Sequence, residues 1–177
     1  MTMSPGAQKL LLTVHVSSSV GWLGSVAAFL VLGMAGLTSR DAATVRGSYV
    51  AMNLIGEFAI VPLSVAALFS GLLQAFGTHW GLFRHYWVLV KFTLTIAATL
   101  LLLVHQFTAV AEAARRVSVT ARERLPQVGG LGTQLVFDAG LAVLVLLVTT
   151  TLSVYKPQGL TPYGWRKRRA ERRTSAL

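Results

Sequence analysis

Residues 10–39 read LLLTVHVSSSVGWLGSVAAFLVLGMAGLTS, and no charged side chain interrupts the chain between Lys9 and Arg40. A helix needs roughly 20 mostly apolar residues to cross the ~30 Å hydrocarbon core of a bilayer, so this stretch predicts a membrane span over about 10–38. It is too long, and its flank lacks the small-residue cleavage pattern, for a removable signal peptide. The span is therefore expected to stay in the chain.

Three further apolar runs follow outward from it, over about 49–76 with one acid at Glu57, 86–111 with Lys91 near its start, and 133–155 with Asp138 near its start. Together they use most of the 177 residues. The predicted fold is all-α, an integral membrane antiparallel four-helix bundle over residues 1–165 followed by a basic tail over 166–177. Composition agrees, with 54% hydrophobic and only 12% charged residues against about 25% charged in soluble domains. The absence of cysteine excludes disulfides, thiolate metal sites, iron–sulfur clusters and cysteine nucleophiles.

The sixteen Lys and Arg and six Asp and Glu give a net charge of +10, which in a polar chain would suggest nucleic acid. Here the charges sit between and after the spans, and no groove-reading element accompanies them, so no nucleic-acid partner is expected. Ten of the basic residues (Lys9, Arg84, Lys91, Lys156 and the tail) fall on one side and six (Arg40, Arg46, Arg115, Arg116, Arg122, Arg124) on the other. By the positive-inside rule both termini are expected in the cytoplasm. Trp80, Tyr86, Trp87, Tyr155, Tyr163 and Trp165 fit an aromatic belt on that same side. The tail is expected to touch anionic lipid, at about 1 kcal/mol per basic residue near the surface. Residues 112–132, polar and with Pro126, read as the longest loop.

Polar groups inside spans usually face the bundle interior and mark function. His15 and Lys91 each lie about five residues within their spans, roughly 7 Å below the inner boundary at 1.5 Å per residue, and are expected to be neighbours. His15 shares a face with Ser18, Ser19, Trp22 and Ser25; Lys91 shares one with Thr95, Ala98, Leu102 and His105. Ser17, Gly21, Gly24 and Ala28 form a small-residue ridge suited to close helix packing. Asn53, Glu57, Ser64 and Gly71 are expected on one face of the second helix, with Pro62 kinking it, and Gln134, Asp138 and Thr149 on one face of the fourth.

Near the outer side, Glu57, His105 and Asp138 lie about 8–12 Å deep by the same rise, and they are expected to converge. An imidazole with two carboxylates suits a metal or a proton relay; a structural pair between His105 and one acid is the alternative. His15 and His105 are separated by roughly 18–20 Å along the bundle and should not ligate one iron. His79 and His85 read as interfacial. His15 is then the best proximal ligand for a haem, with Lys91 beside it as a cation or second ligand, although a lysine stem could also carry the ammonium to the boundary.

His15, Trp22 and Gly24, Pro62 and Gly71, Trp87 and Lys91, and Lys156-Pro157 together resemble the four-helix membrane protoporphyrinogen oxidases (HemJ type) and the related copper-resistance membrane proteins (CopD type). More closely, HVSSSVGWLG, WGLFRHYWVLVK and VYKPQGLTPYGWRK resemble a bacterial four-span family known only as a domain of unknown function. The first resemblance implies a b-type haem and tetrapyrrole site that maps onto His15 and Lys91; the bacterial one implies a plasma-membrane location. Where the oxidases carry an arginine-bearing segment at the end of the first span, this chain has AAFLVLGMAG. Met34 and Met52 fall near the level of His105, and thioether with imidazole would suit Cu(I).

Three readings follow. The chain is a redox or porphyrin-oxidising bundle with haem b bound by His15, Trp22 and Lys91, or a metal-ion or proton transporter through Glu57, His105 and Asp138, or an accessory subunit without chemistry. A homo-oligomer or a membrane redox partner remains open. No dinucleotide or P-loop glycine motif and no HExxH or serine-nucleophile motif occurs.

Overall fold

The computed structural model describes residues 4–77, 84–120, 124, 128–155, 157 and 159–174. His79, Trp80, Arg122, Pro126 and Lys156, singled out above, lie outside the described residues. The chain runs α1 (Pro5–Thr38), α2 (Ala42–Ile55), a π-turn (Gly56–Ile60), α3 (Val61–Gly77), α4 (Tyr86–His105), a second π-turn (Gln106–Val110), α5 (Ala111–Val119), α6 (Gly130–Tyr155) and α7 (Pro162–Thr174). The segments joined by π-turns are continuous rods, so four helices are long and apolar enough to cross a membrane: Pro5–Thr38, Ala42–Phe76, Tyr86–Val119 and Gly130–Tyr155. The fold is the all-α four-helix bundle that the apolar runs predict.

All four rods extend beyond those runs, two of them by about two turns. The second begins at Ala42 rather than near 49, and the third continues to Val119 rather than stopping at 111. Both extensions are polar helix outside the apolar region, and each has a cause. Asp41 caps α2, its carboxylate accepting from the Thr44 amide at 2.8 Å and the Thr44 hydroxyl at 2.6 Å. These bonds hold the Asp41 carboxyl below the usual carboxylate range. The cap is complete above that range and weakens as pH falls through the lowered value. In α5, Glu112 pairs with Arg115 and Arg116 one turn on. Arg46, within α2, donates to the carbonyls of Val117 and Thr120 and so satisfies the last turn of α5. The residues read as loop over 112–119 are therefore helix.

α1 packs on α2 and α3 on one side and on α6 on the other, and α4 likewise contacts α3 and α6. α1 and α4 thus face each other across the diagonal. The buried core runs through Trp22, Val26, Phe29, Tyr49, Met52, Leu135 and Leu146. Large apolar side chains also cover the outside, with Phe58, Phe107 and Phe137 each at least 70% exposed. A water-facing surface rarely carries so much contiguous apolar area; a lipid-facing one does.

Small residues set the close approaches, though not the ones expected. Gly24 has open space where a Cβ would sit, and Ser17 and Ala28 are exposed, because that face of α1 looks outward. Only Gly21 of the ridge is packed, under Leu63. The outer end closes instead on Gly33, which sits beneath Met52 and Val136, and on Gly36 and Gly132, which flank the Tyr49 ring. At the end of the bundle that carries the start of α1, the chain after α6 folds back on the start of α4. Tyr86 donates to the Gly159 carbonyl at 3.2 Å, and the Thr161 amide donates to the Arg84 carbonyl at 3.1 Å. Thr161 then caps α7 through the Gly164 amide, with Pro162 at the favoured first position.

Candidate functional site

His15 and Lys91 meet across the diagonal, with Lys91 Nζ 3.4 Å from His15 Nε2. The rest of the contact set fixes the ring. His15 Nδ1 lies 3.0 Å from the Ala67 carbonyl and 3.0 Å from Ser70 Oγ. A carbonyl can only accept, so Nδ1 carries the proton. The Ser70 hydroxyl donates to Ala66 O at 2.6 Å, which leaves its lone pair for Nδ1–H as well. Nε2 is then the unprotonated nitrogen, and its lone pair accepts from the Lys91 ammonium. Lys91 turns inward to the imidazole rather than toward the boundary.

α3 supplies the anchor for this ring. Gly71 follows Ser70, and a Cβ there would sit 3.0 Å from His15 Cε1, so the glycine lets the imidazole lie against the helix backbone. Gln74, one turn on, donates to the Leu11 carbonyl at 3.0 Å and ties α3 to α1 at the same level. Ser70 and Gln74 were not read as site residues. The signal was present, since Ser70 lies about 9 Å from the inner end of its span at 1.5 Å per residue, close to the depth of His15.

A cavity of about 590 Å³ adjoins the pair, lined by residues of α1, α3, α4 and α6 that include Trp22, Trp87, Thr149 and Ser153. A smaller one of about 130 Å³ lies on the α3 side of His15 and Lys91. The walls of the larger are mostly apolar, with polar groups concentrated at the inner end. Val16, Val20 and Val154 on its rim are each at least 50% exposed, so it opens sideways onto the apolar surface. Trp22 is 3% exposed, and its Nε1 finds no acceptor among the described residues. His85, read as interfacial, stands before α4 with its ring 6.5 Å from that of Trp87.

The outer level differs from expectation. His105 Nε2 lies 2.9 Å from Asp138 Oδ2, and Nδ1 faces the Leu101 carbonyl at 3.0 Å. The Gln134 side-chain amide nitrogen also reaches Nε2, at 3.4 Å, so His105 joins α4 to two polar side chains of α6. Glu57 does not join them; it is exposed on the outer surface of its helix. The expected convergence of Glu57, His105 and Asp138 is corrected accordingly. The reason is the π-turn: Val61 bonds back five residues to Gly56, and the extra residue rotates the helix phase. Glu57 is therefore exposed while Ser64 is buried and Gly71 packs against His15. Among the described residues no three His, Asp or Glu side chains are grouped to hold a metal. Met52 is fully buried beneath Gly33 and Met34 is 45% exposed.

The place of Glu57 in the interior is taken by Gln106, which had not been singled out. Its amide is 6% exposed and donates to the Asn53 carbonyl at 3.2 Å and to Asn53 Oδ1 at 3.4 Å. The two π-turns meet here, and Gly56 leaves the space that the Gln106 amide fills. No family model, curated protein or solved structure matches the chain.

Proposed function

We propose that this chain is a multi-pass protein of the bacterial plasma membrane, with both termini cytoplasmic, whose inner cavity binds a flat anionic tetrapyrrole, b-type haem in the first place. The observation that carries the reading is the fixed tautomer of His15. A histidine that ligates a metal commonly donates its other ring N–H to a carbonyl or similar acceptor, which holds the ring and makes the free nitrogen more basic. The bonds from Nδ1 to Ala67 and Ser70 are of that kind, and the Nε2 lone pair, which faces Lys91, would serve as the metal donor once that ammonium turns away.

The residues present fit such a group. A volume of about 590 Å³ falls within the 300–1,000 Å³ typical of cofactor sites, and apolar walls with a few polar groups at one end suit a macrocycle with its carboxylates inward. Trp22 and Leu146, which line the cavity, would wall the macrocycle. Lys91, at the depth of His15, would supply the counter-charge to a carboxylate, on a stem long enough for one helical turn. Haem when bound supplies one-electron and oxygen chemistry; the protein supplies the ligand, the counter-charge and exclusion of water. The basic helix α7 lies against anionic lipid.

Removing the counter-charge tests the site. Titration of haem into detergent-solubilised apoprotein, followed in the Soret band, should show Lys91→Met binding about 10- to 100-fold weaker than wild type, from the loss of roughly 1.5–3 kcal/mol of charged hydrogen bonding. Lys91→Arg should stay near wild type. Equal affinity for all three would remove Lys91 from the site. Orientation is tested separately, since the chain has no cysteine and a single Ser118→Cys reports its own side. It should react with an impermeant maleimide from the outside of intact cells; reaction only after permeabilisation would reverse the topology.

A further inference from the structure

We infer that the outer half of the bundle holds a second ligand site, separate from the one at His15, that takes the ring of a lipid-soluble quinone or hydroquinone. A second cavity of about 220 Å³ lies between α1, α4 and α6, and nearly all of its wall is apolar. His105 and Asp138 border it and are 24% and 26% exposed, while Leu101 and Leu141 beside them are 50% and 45% exposed. The cavity therefore has a mouth between α4 and α6 on the apolar surface, with His105 and Asp138 set in it.

Size and chemistry select the ligand. A dry cavity of about 150 Å³ holds benzene, so this one holds a substituted six-membered ring, with an attached alkyl chain leaving through the mouth into lipid. His105 lies about 9 Å below the outer end of the apolar run, counting 1.5 Å per residue from Ala111. A phosphate or carboxylate headgroup would have to be desolvated to that depth and would then face the Asp138 carboxylate. The headgroup is therefore small, neutral and oxygen-bearing.

One polar group at the mouth is left for it. Asp138 borders the cavity, and its Oδ2 lies 2.9 Å from His105 Nε2 without a properly directed hydrogen bond, so it accepts a hydroquinone hydroxyl. A buried acceptor left without a donor is costly, and a hydroxyl on the ring relieves it. Trp22 borders this cavity as well as the inner one, so its indole reports what enters.

The inference does not depend on haem, and the test uses apoprotein. In a variant with Trp80, Trp87 and Trp165 replaced by Phe, Trp22 is the sole tryptophan, and its fluorescence reports the cavity in lipid nanodiscs. Decylubiquinone should quench it saturably. Filling the cavity with Ala98→Phe, or more gently with Ala142→Leu, should weaken binding at least tenfold, and a decylbenzene without ring oxygens should compete at least tenfold less well than decylubiquinone. Non-saturable quenching, affinity unchanged in both filled variants, or equal competition by decylbenzene would each overturn the proposal. A haem titration of the same protein remains independent of the result.

Discussion

Replacing His15 with alanine is expected to abolish the reduced b-type absorption of protein expressed with ample haem, while His105→Ala leaves it largely intact. The asymmetry follows from position. His15 lines the larger cavity with its tautomer fixed from behind by Ala67 and Ser70, whereas His105 is engaged with Leu101 and Asp138 in the other half of the bundle. Alanine at 15 removes the donor atom; alanine at 105 removes the contacts to Asp138 and Gln134 and should lower stability instead. Ser70→Ala gives an intermediate case, because the Ala67 carbonyl still holds Nδ1–H. Its haem should bind with altered affinity but keep the same ligand. Loss of pigment in both histidine variants, with both still folded, would point to global disturbance rather than ligation.

The second large effect is expected far from that site. In Gly56→Ala the new methyl group would occupy the space of the Gln106 amide. Gln106 must then withdraw, losing its bonds to Asn53 and leaving a buried amide unpaired at about 1–3 kcal/mol. Strain in the crowded contact adds about 1–3 kcal/mol. A loss on the order of 2–6 kcal/mol should appear in reversible unfolding in mixed micelles. Gly56→Ala combined with Gln106→Ala should recover most of it, since the obstructing amide is gone. A Gly56→Ala protein as stable as wild type would mean that the π-turns do not meet as described.

The apolar runs found every rod, because about 20 apolar residues in succession have few other uses. They misjudged the ends for a physical reason. Loss of hydropathy marks where lipid stops, not where hydrogen bonding stops, and Arg46 and Glu112 belong to helix that continues past it. Depth counting placed His15 and Lys91 at one level, and their side chains meet at 3.4 Å. It worked there because α1 is unbroken and Lys91 lies only a turn and a half into α4. The same arithmetic failed for Glu57, where a π-turn changes the phase and no hydropathy signal announces it. Gln106 escaped notice because an amide carries no charge, although a glutamine buried in a span needs a partner as much as an acid does.

The central claim, an axial histidine at the end of a cofactor cavity, is tested most directly by one spectrum. Wild-type protein, purified in mild detergent from cells supplied with haem precursor, should give a dithionite-reduced minus oxidised difference spectrum with sharp b-type bands and close to one haem per chain. Colourless protein that also fails to take up added haem would contradict the account.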